Sequence, residues 1–109
     1  MTNLLKLFVF LLHSKVVLAT NFWAIDDPGN PDNTLGCNGK VLKDTDFVVA
    51  HKTLPCGTKV LLFNPRTNKV VIATKLDAGP KHADIDLAPA VTKALRANGA
   101  ETLLMVVLK

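Results

Sequence analysis

Two β-rich runs, TKVLLFN (58–64) and NKVVIATKL (68–76), stand on either side of a short PRT loop. β-branched and apolar residues dominate both runs, so the pair reads as an antiparallel hairpin. A hairpin is marginal in water on its own and needs further strands or a helix against its apolar face. The rest of the chain supplies them. DFVVAH (46–51) reads as a short strand, and ETLLMVVL (101–108) as a buried closing strand. ADIDL (83–87) alternates, which turns Ile85 and Leu87 inward and leaves Asp84 and Asp86 on the other side. APAVTKALRANG (88–99) is the one convincing helix, with Pro89 in its first turn, Gly99 as its stop, and Val91, Ala94 and Leu95 on one face. Many short strands with a single late helix point to a mainly β protein, a small barrel. Barrels of this size are filled by side chains, so function belongs on the rim or in a surface groove.

The connecting segments PGNPDNTLGCNGK (28–40) and LPCGT (54–58) are rich in turn residues, and each holds one of the two cysteines, Cys37 and Cys56. In an exported protein the plain reading is one disulfide, worth about 3 kcal/mol in the chain-entropy model. Two unrelated thiols are the alternative, as is a Cys56 nucleophile with His51 as its base, which a disulfide would abolish. Neither cysteine belongs to a C-x-x-C pair, which argues against zinc.

The first nineteen residues, MTNLLKLFVFLLHSKVVLA, have the outline of a secretory signal ending at Ala19, although His13 and Lys15 interrupt its apolar region. This divides the chain into a leader (1–19) and one domain (20–109) and places the mature protein in the periplasm or outside the cell; the alternatives are a mis-assigned start and an ordinary first strand. The uninterrupted apolar run falls far short of the ~20 residues that a membrane span needs. Of the formal net charge of +4, Lys6 and Lys15 belong to the leader, which leaves +2. The basic residues form no stripe and are not interleaved with aromatics, so the chain does not read as a nucleic-acid binder. A weakly basic surface suits an anionic polymer such as cell wall.

KLDAGPKHADIDLAP (75–89) gathers three of the nine acidic residues, Asp77, Asp84 and Asp86, within ten positions. Each has an ordinary structural reading. Asp77 opens a Gly-Pro turn and would accept local backbone hydrogen bonds, Asp86 precedes the helix and would serve its free N–H groups, and Asp84 would be solvated. The other reading is a site.

The stretch VVAHKTLPCGTKVLLFNPRTNKVVIATKLDAGPKHADIDLAPAV resembles the rare lipoprotein A-like double-psi β-barrel family, related to the barwin-like domains of expansins. AHKTLPCGT, the hairpin after it, DAGP, DIDLAP and a last strand after a Gly-terminated helix carry the resemblance, over about residues 36–108. It implies a six-stranded double-psi barrel with a polysaccharide groove, in which Asp77 and Asp86 match the two acidic positions. Bacterial members act on peptidoglycan, some as lytic transglycosylases; expansin-type members loosen walls without detectable cutting.

Glycosidic cleavage needs an acid to protonate the leaving oxygen. Hydrolases add a second carboxylate, about 5–5.5 Å away for retention or ~6.5–9.5 Å for inversion. A lytic transglycosylase lets the muramyl C6 hydroxyl attack C1 instead, so one carboxyl serves as acid and later as base. The resemblance gives that role to Asp86, with Asp77 beside it. His51 either orients a carboxylate in the groove or braces its own turn. Thr20 matches a groove threonine if ATNFW (19–23) is the first strand, which conflicts with cleavage after Ala19. Sugar stacking would rest on Trp23, with Phe22, unless Trp23 covers a barrel end. Family members carry D-R-G-P-F; here Ala78 replaces the Arg, and Lys81 stands in for part of its charge.

The expectation is therefore an exported, monomeric peptidoglycan lytic transglycosylase without cofactor or metal. Its alternatives are a non-catalytic, expansin-like wall-loosening or carbohydrate-binding module and a barwin-like secreted interaction protein.

Overall fold

The computed structural model describes residues 13–22, 34–80 and 82–108. The hairpin forms as its sequence predicts: β3 (Lys59–Asn64) pairs antiparallel with β4 (Lys69–Asp77), Leu62 opposite Val71 and Phe63 opposite Val70. Asn68 takes the left-handed conformation (φ 63°) that closes the turn, and its N–H donates to the Asn64 carbonyl at 2.8 Å.

Four more strands complete the wall: β1 (Lys15–Asn21), β2 (Val48–His51), β5 (Ile85–Leu87) and β6 (Glu101–Leu108). They close in the order β1-β5-β2-β4-β3-β6. β1 runs parallel to β5 and β2 parallel to β4; the other neighbours are antiparallel. The fold is the mainly β, six-stranded barrel expected from the sequence. No helix among the described residues is long and apolar enough to cross a membrane.

Alternation fills the interior. Val17, Ala19, Val49, Val60, Leu62, Ala73, Ile85, Leu87, Leu103 and Met105 point inward and meet Val91 and Leu95 of the short helix α1 (Pro89–Leu95). Each fully buried Val or Leu contributes about 1.5–3 kcal/mol. A second apolar cluster lies outside the barrel, where Leu35 and Leu42 of the long connection cover Val48 and Ala88, with Phe22 and Leu76 packed against them. Cys37 and Cys56 are disulfide-bonded, which ties that connection to the turn after β2.

Two boundaries and the burial of one strand differ from the sequence reading. The first strand begins at Lys15 rather than Ala19, because Val17 and Ala19 both fit the core and pair with β6. The predicted leader boundary after Ala19 therefore runs through β1. The helix stops at Leu95: Arg96 is already left-handed (φ 51°), three residues before the left-handed Gly99 (φ 45°), and its carbonyl accepts a 2.6 Å hydrogen bond from Arg66 Nη2. β6 is buried on one face only, with Val107 40% exposed.

Candidate functional site

Register alone assembles the central feature. Ile85 and Leu87 are fully buried, so the residue between them, Asp86, faces outward. Asp86 stands opposite Thr20 of β1 on one side and Ala50 of β2 on the other. Ala50 in turn stands opposite Asp77 of β4. That last pairing depends on a shift of register: Val49 faces Lys75, but Ala50 faces Asp77, so Leu76 is passed over. Strict alternation would have sent Asp77 to the same side as Ala73 and Lys75. Instead Leu76 joins the outer apolar cluster and Asp77 reaches the outer row. Thr20, Asp86, Ala50 and Asp77 thus form one line across four strands.

Within this line, the Thr20 hydroxyl donates to Asp86 Oδ1. Asp77 Oδ1 accepts the backbone N–H of Gly36 at 3.0 Å and that of Ala78 at 2.9 Å. The Gly36 contact is held in place from next door, where Cys37 N–H donates to the Leu76 carbonyl at 2.9 Å and Cys37 is bridged to Cys56. Both aspartates are half-buried. Burial pushes the Asp86 carboxyl above its ordinary range; the Thr20 hydroxyl bond opposes this, and the Asp77 charge adds to it. The strands carrying the two acids are two inter-strand spacings apart, about 10 Å.

The same face continues toward the start of β5. Leu18 N–H donates to Asp84 Oδ2 at 2.8 Å and Asp84 N–H to the Leu18 carbonyl at 2.9 Å, so Asp84, though exposed, extends the β1–β5 ladder. A shallow depression of about 250 Å³ lies there, lined by Leu18, Lys52, His82, Ala83 and Asp84. Gly79 lets the DAGP turn cross this end: a Cβ on it would come within 2.4 Å of Lys52 N and 2.7 Å of the His51 carbonyl carbon.

His51 takes the bracing role of its two sequence readings. Its Nδ1 accepts the backbone N–H groups of Thr53 (3.2 Å) and Leu54 (3.1 Å), so its proton sits on Nε2. Burial lowers the His51 pKa, and Lys15 and Lys75 lower it further against an opposing effect of Asp84. Trp23 and Lys81 lie outside the described residues. Sequence reasoning missed Ala50 as the spacer between the acids and Gly36 as a partner of Asp77. Ala50 opens the AHKTLPCGT segment, and its small size beside an alternating strand was the available signal. Gly36 gave none, because its contact is made 41 residues away.

Neither a protein-family model nor a curated protein matches this chain. Among solved structures it is similar to cerato-platanin 3 from M. perniciosa, with a TM-score of 0.63 and 14% identity over 87% of this chain and 95% of that one. At that identity the likeness concerns the fold.

Proposed function

We propose that the protein is an exported, expansin-like barrel that holds wall polysaccharide on the outer face of β1, β5, β2 and β4 without cutting it. The line Thr20–Asp86–Ala50–Asp77 carries this reading. It offers a hydroxyl, a carboxyl group and a carboxylate over three inter-strand spacings, about 14 Å. Hydroxyl-rich ligands are recognised by such spaced acceptors; Ala50 itself is buried, 2% exposed, so the contacts fall to Thr20, Asp86 and Asp77. Asp77 spends one oxygen on two backbone N–H groups, which makes it part of the scaffold as much as a free reagent. Export is supported by the Cys37–Cys56 bridge, since such bonds persist in oxidising compartments. Any leader ends upstream of Lys15, because a cut after Ala19 would strip two core residues from the barrel.

One observation favours a second reading, the peptidoglycan lytic transglycosylase with Asp86 as acid and base. A carboxyl held above its ordinary range is what a general acid needs. The two are separated by incubating the protein with insoluble wall glycan, peptidoglycan included, and assaying pellet and supernatant. Retention in the pellet, weakened by Asp86→Asn, with no soluble fragments, is the expected result. Anhydro-muropeptides released by the wild type and lost in Asp86→Asn would replace it with the second reading. Neither retention nor soluble fragments on any wall material sinks both.

A further inference from the structure

We propose that the outer face of the barrel carries a second saccharide site, built around Phe47 and selective for a sugar bearing a carboxylate. It deepens the polysaccharide-binding reading and uses none of the residues of the aspartate line. Beside the start of β2 is an open cleft of about 700 Å³, a size typical of ligand sites. Its floor is apolar, made by Leu35 and Val48, both buried, and Leu76. Phe47 stands at its edge with 47% of its surface exposed, an aromatic ring left in water beside an apolar floor. Such a ring gains by covering the C–H face of a sugar, which is apolar on its flat side.

Charge decides which sugar. Lys40 and Lys43 line the cleft, and among the described residues neither ammonium has an ion-pair partner; the one such pair joins Arg66 to Glu101. The remaining charged group in the lining, Asp46, has Oδ2 engaged by the Lys43 backbone N–H at 2.9 Å. Among the described residues, two lysines over an apolar floor, against one carboxylate committed to its own turn, favour an anionic substituent on the stacked ring. Cleft and aspartate line are separated by the Leu35–Cys37 segment and by Leu76, which borders both.

The test is titration calorimetry of the intact, oxidised protein with tri-galacturonate and with a neutral trisaccharide, in low and high salt. The acid sugar is expected to bind more tightly, and added salt to weaken it, as exposed charges require. Phe47→Ala is expected to weaken it roughly three- to tenfold, and Lys40→Gln/Lys43→Gln to remove the preference over the neutral sugar. Lys69→Gln, at an exposed lysine by the hairpin turn that lines neither site, is expected to leave tri-galacturonate affinity unchanged. Phe47, Lys40 and Lys43 are exposed, so these variants keep the core. Equal affinity for acid and neutral sugars, or wild-type affinity in either the Phe47 or the Lys40/Lys43 variant, overturns the proposal. Loss of tri-galacturonate binding in Asp86→Asn also overturns it, by placing the ligand in the other site. Retention on insoluble neutral glycan that responds to Asp86→Asn, together with no binding of tri-galacturonate, would leave the aspartate line standing and remove this site.

Discussion

Asp86 and Asp77 flank one residue, Ala50, from the strands on either side of it. Nine positions apart in the chain, the two acids are brought together by pairing with a third strand and not by proximity along the backbone. The arrangement concentrates negative charge on a partly buried face. Asp77 also serves the fold, through the N–H groups of Gly36 and Ala78, while the side-chain bond to Asp86 comes from the Thr20 hydroxyl.

The first consequence is measurable as a pH dependence. The Asp86 carboxyl in the folded state titrates above its ordinary value of 3.8, chiefly through burial. Below 3.8 both folded and unfolded chains carry it protonated, and it costs nothing. As pH rises through its folded value the unfolded chain ionises more readily, so stability is lost. Asp86→Asn, neutral throughout and still able to accept from Thr20, escapes that loss. Its Tm is expected to match the wild type near pH 3 and to exceed it by a few degrees at pH 7, where about 1 kcal/mol corresponds to ~4–8 °C in a small domain. A variant less stable than wild type at pH 7 would show that Asp86 is a structural residue.

Glu101 behaves in the opposite sense. It is buried, and its carboxylate takes Arg66 Nε at 2.7 Å and Asn98 N–H at 2.9 Å, while Arg66 also reaches the Arg96 carbonyl at the end of α1. The Arg66 hydrogen bond, the Asn98 N–H and lesser contacts outweigh burial and hold its pKa at about 2 instead of 4.5. A depressed acid contributes stability above its unfolded value and loses it as pH falls toward the folded one. Glu101→Gln is expected to cost about 1.5–3 kcal/mol at pH 7, and the difference is expected to shrink between pH 4.5 and pH 2. Urea unfolding at both ends of that window measures it.

Where the sequence was legible, one physical rule governed each element. The hairpin, the alternation of Ile85, Asp86 and Leu87, the last strand and the helix all follow from periodicity, and the structure has them. What escaped had competing causes. β1 starts at Lys15 because the barrel needs Val17 and Ala19, residues that also suit a leader. The helix ends at Arg96 because Arg66, far along the chain, supplies a partner for its carbonyl. Alternation alone turns Asp77 inward, and only the register shift past Leu76 brings it outside. The two acids were picked out by resemblance to a family pattern; their shared neighbour was not, since pairing partners leave no local mark.

The β1 boundary gives a test that does not depend on function. A chain starting at Lys15 keeps the whole of β1 and is expected to fold with a cooperative transition. A chain starting at Thr20 loses Val17, Ala19 and all five of the β1–β6 register pairs, which span Lys15 to Ala19. It is expected to unfold at room temperature or to aggregate through the uncovered edge of β6. Circular dichroism of the two truncations decides the matter. An equally stable shorter chain would restore Ala19 as a workable cleavage point.

The disulfide links stability to the site. Replacing both Cys37 and Cys56 by Ser opens a bond spanning 19 residues, expected to cost about 3 kcal/mol. The bond also keeps Cys37 against Leu76, and through it the Gly36 N–H on Asp77. Glycan retention should therefore fall in the double-serine variant even well below its own Tm, where the barrel is intact. Gly79→Ala makes a useful comparison, because it disturbs the other side of Asp77 by driving a methyl into the Lys52 backbone while leaving the disulfide alone. Both variants are expected to lose retention if the aspartate line is the binding face. Retention unchanged in both, with lowered Tm, would mean that the line serves the fold and that the glycan binds elsewhere.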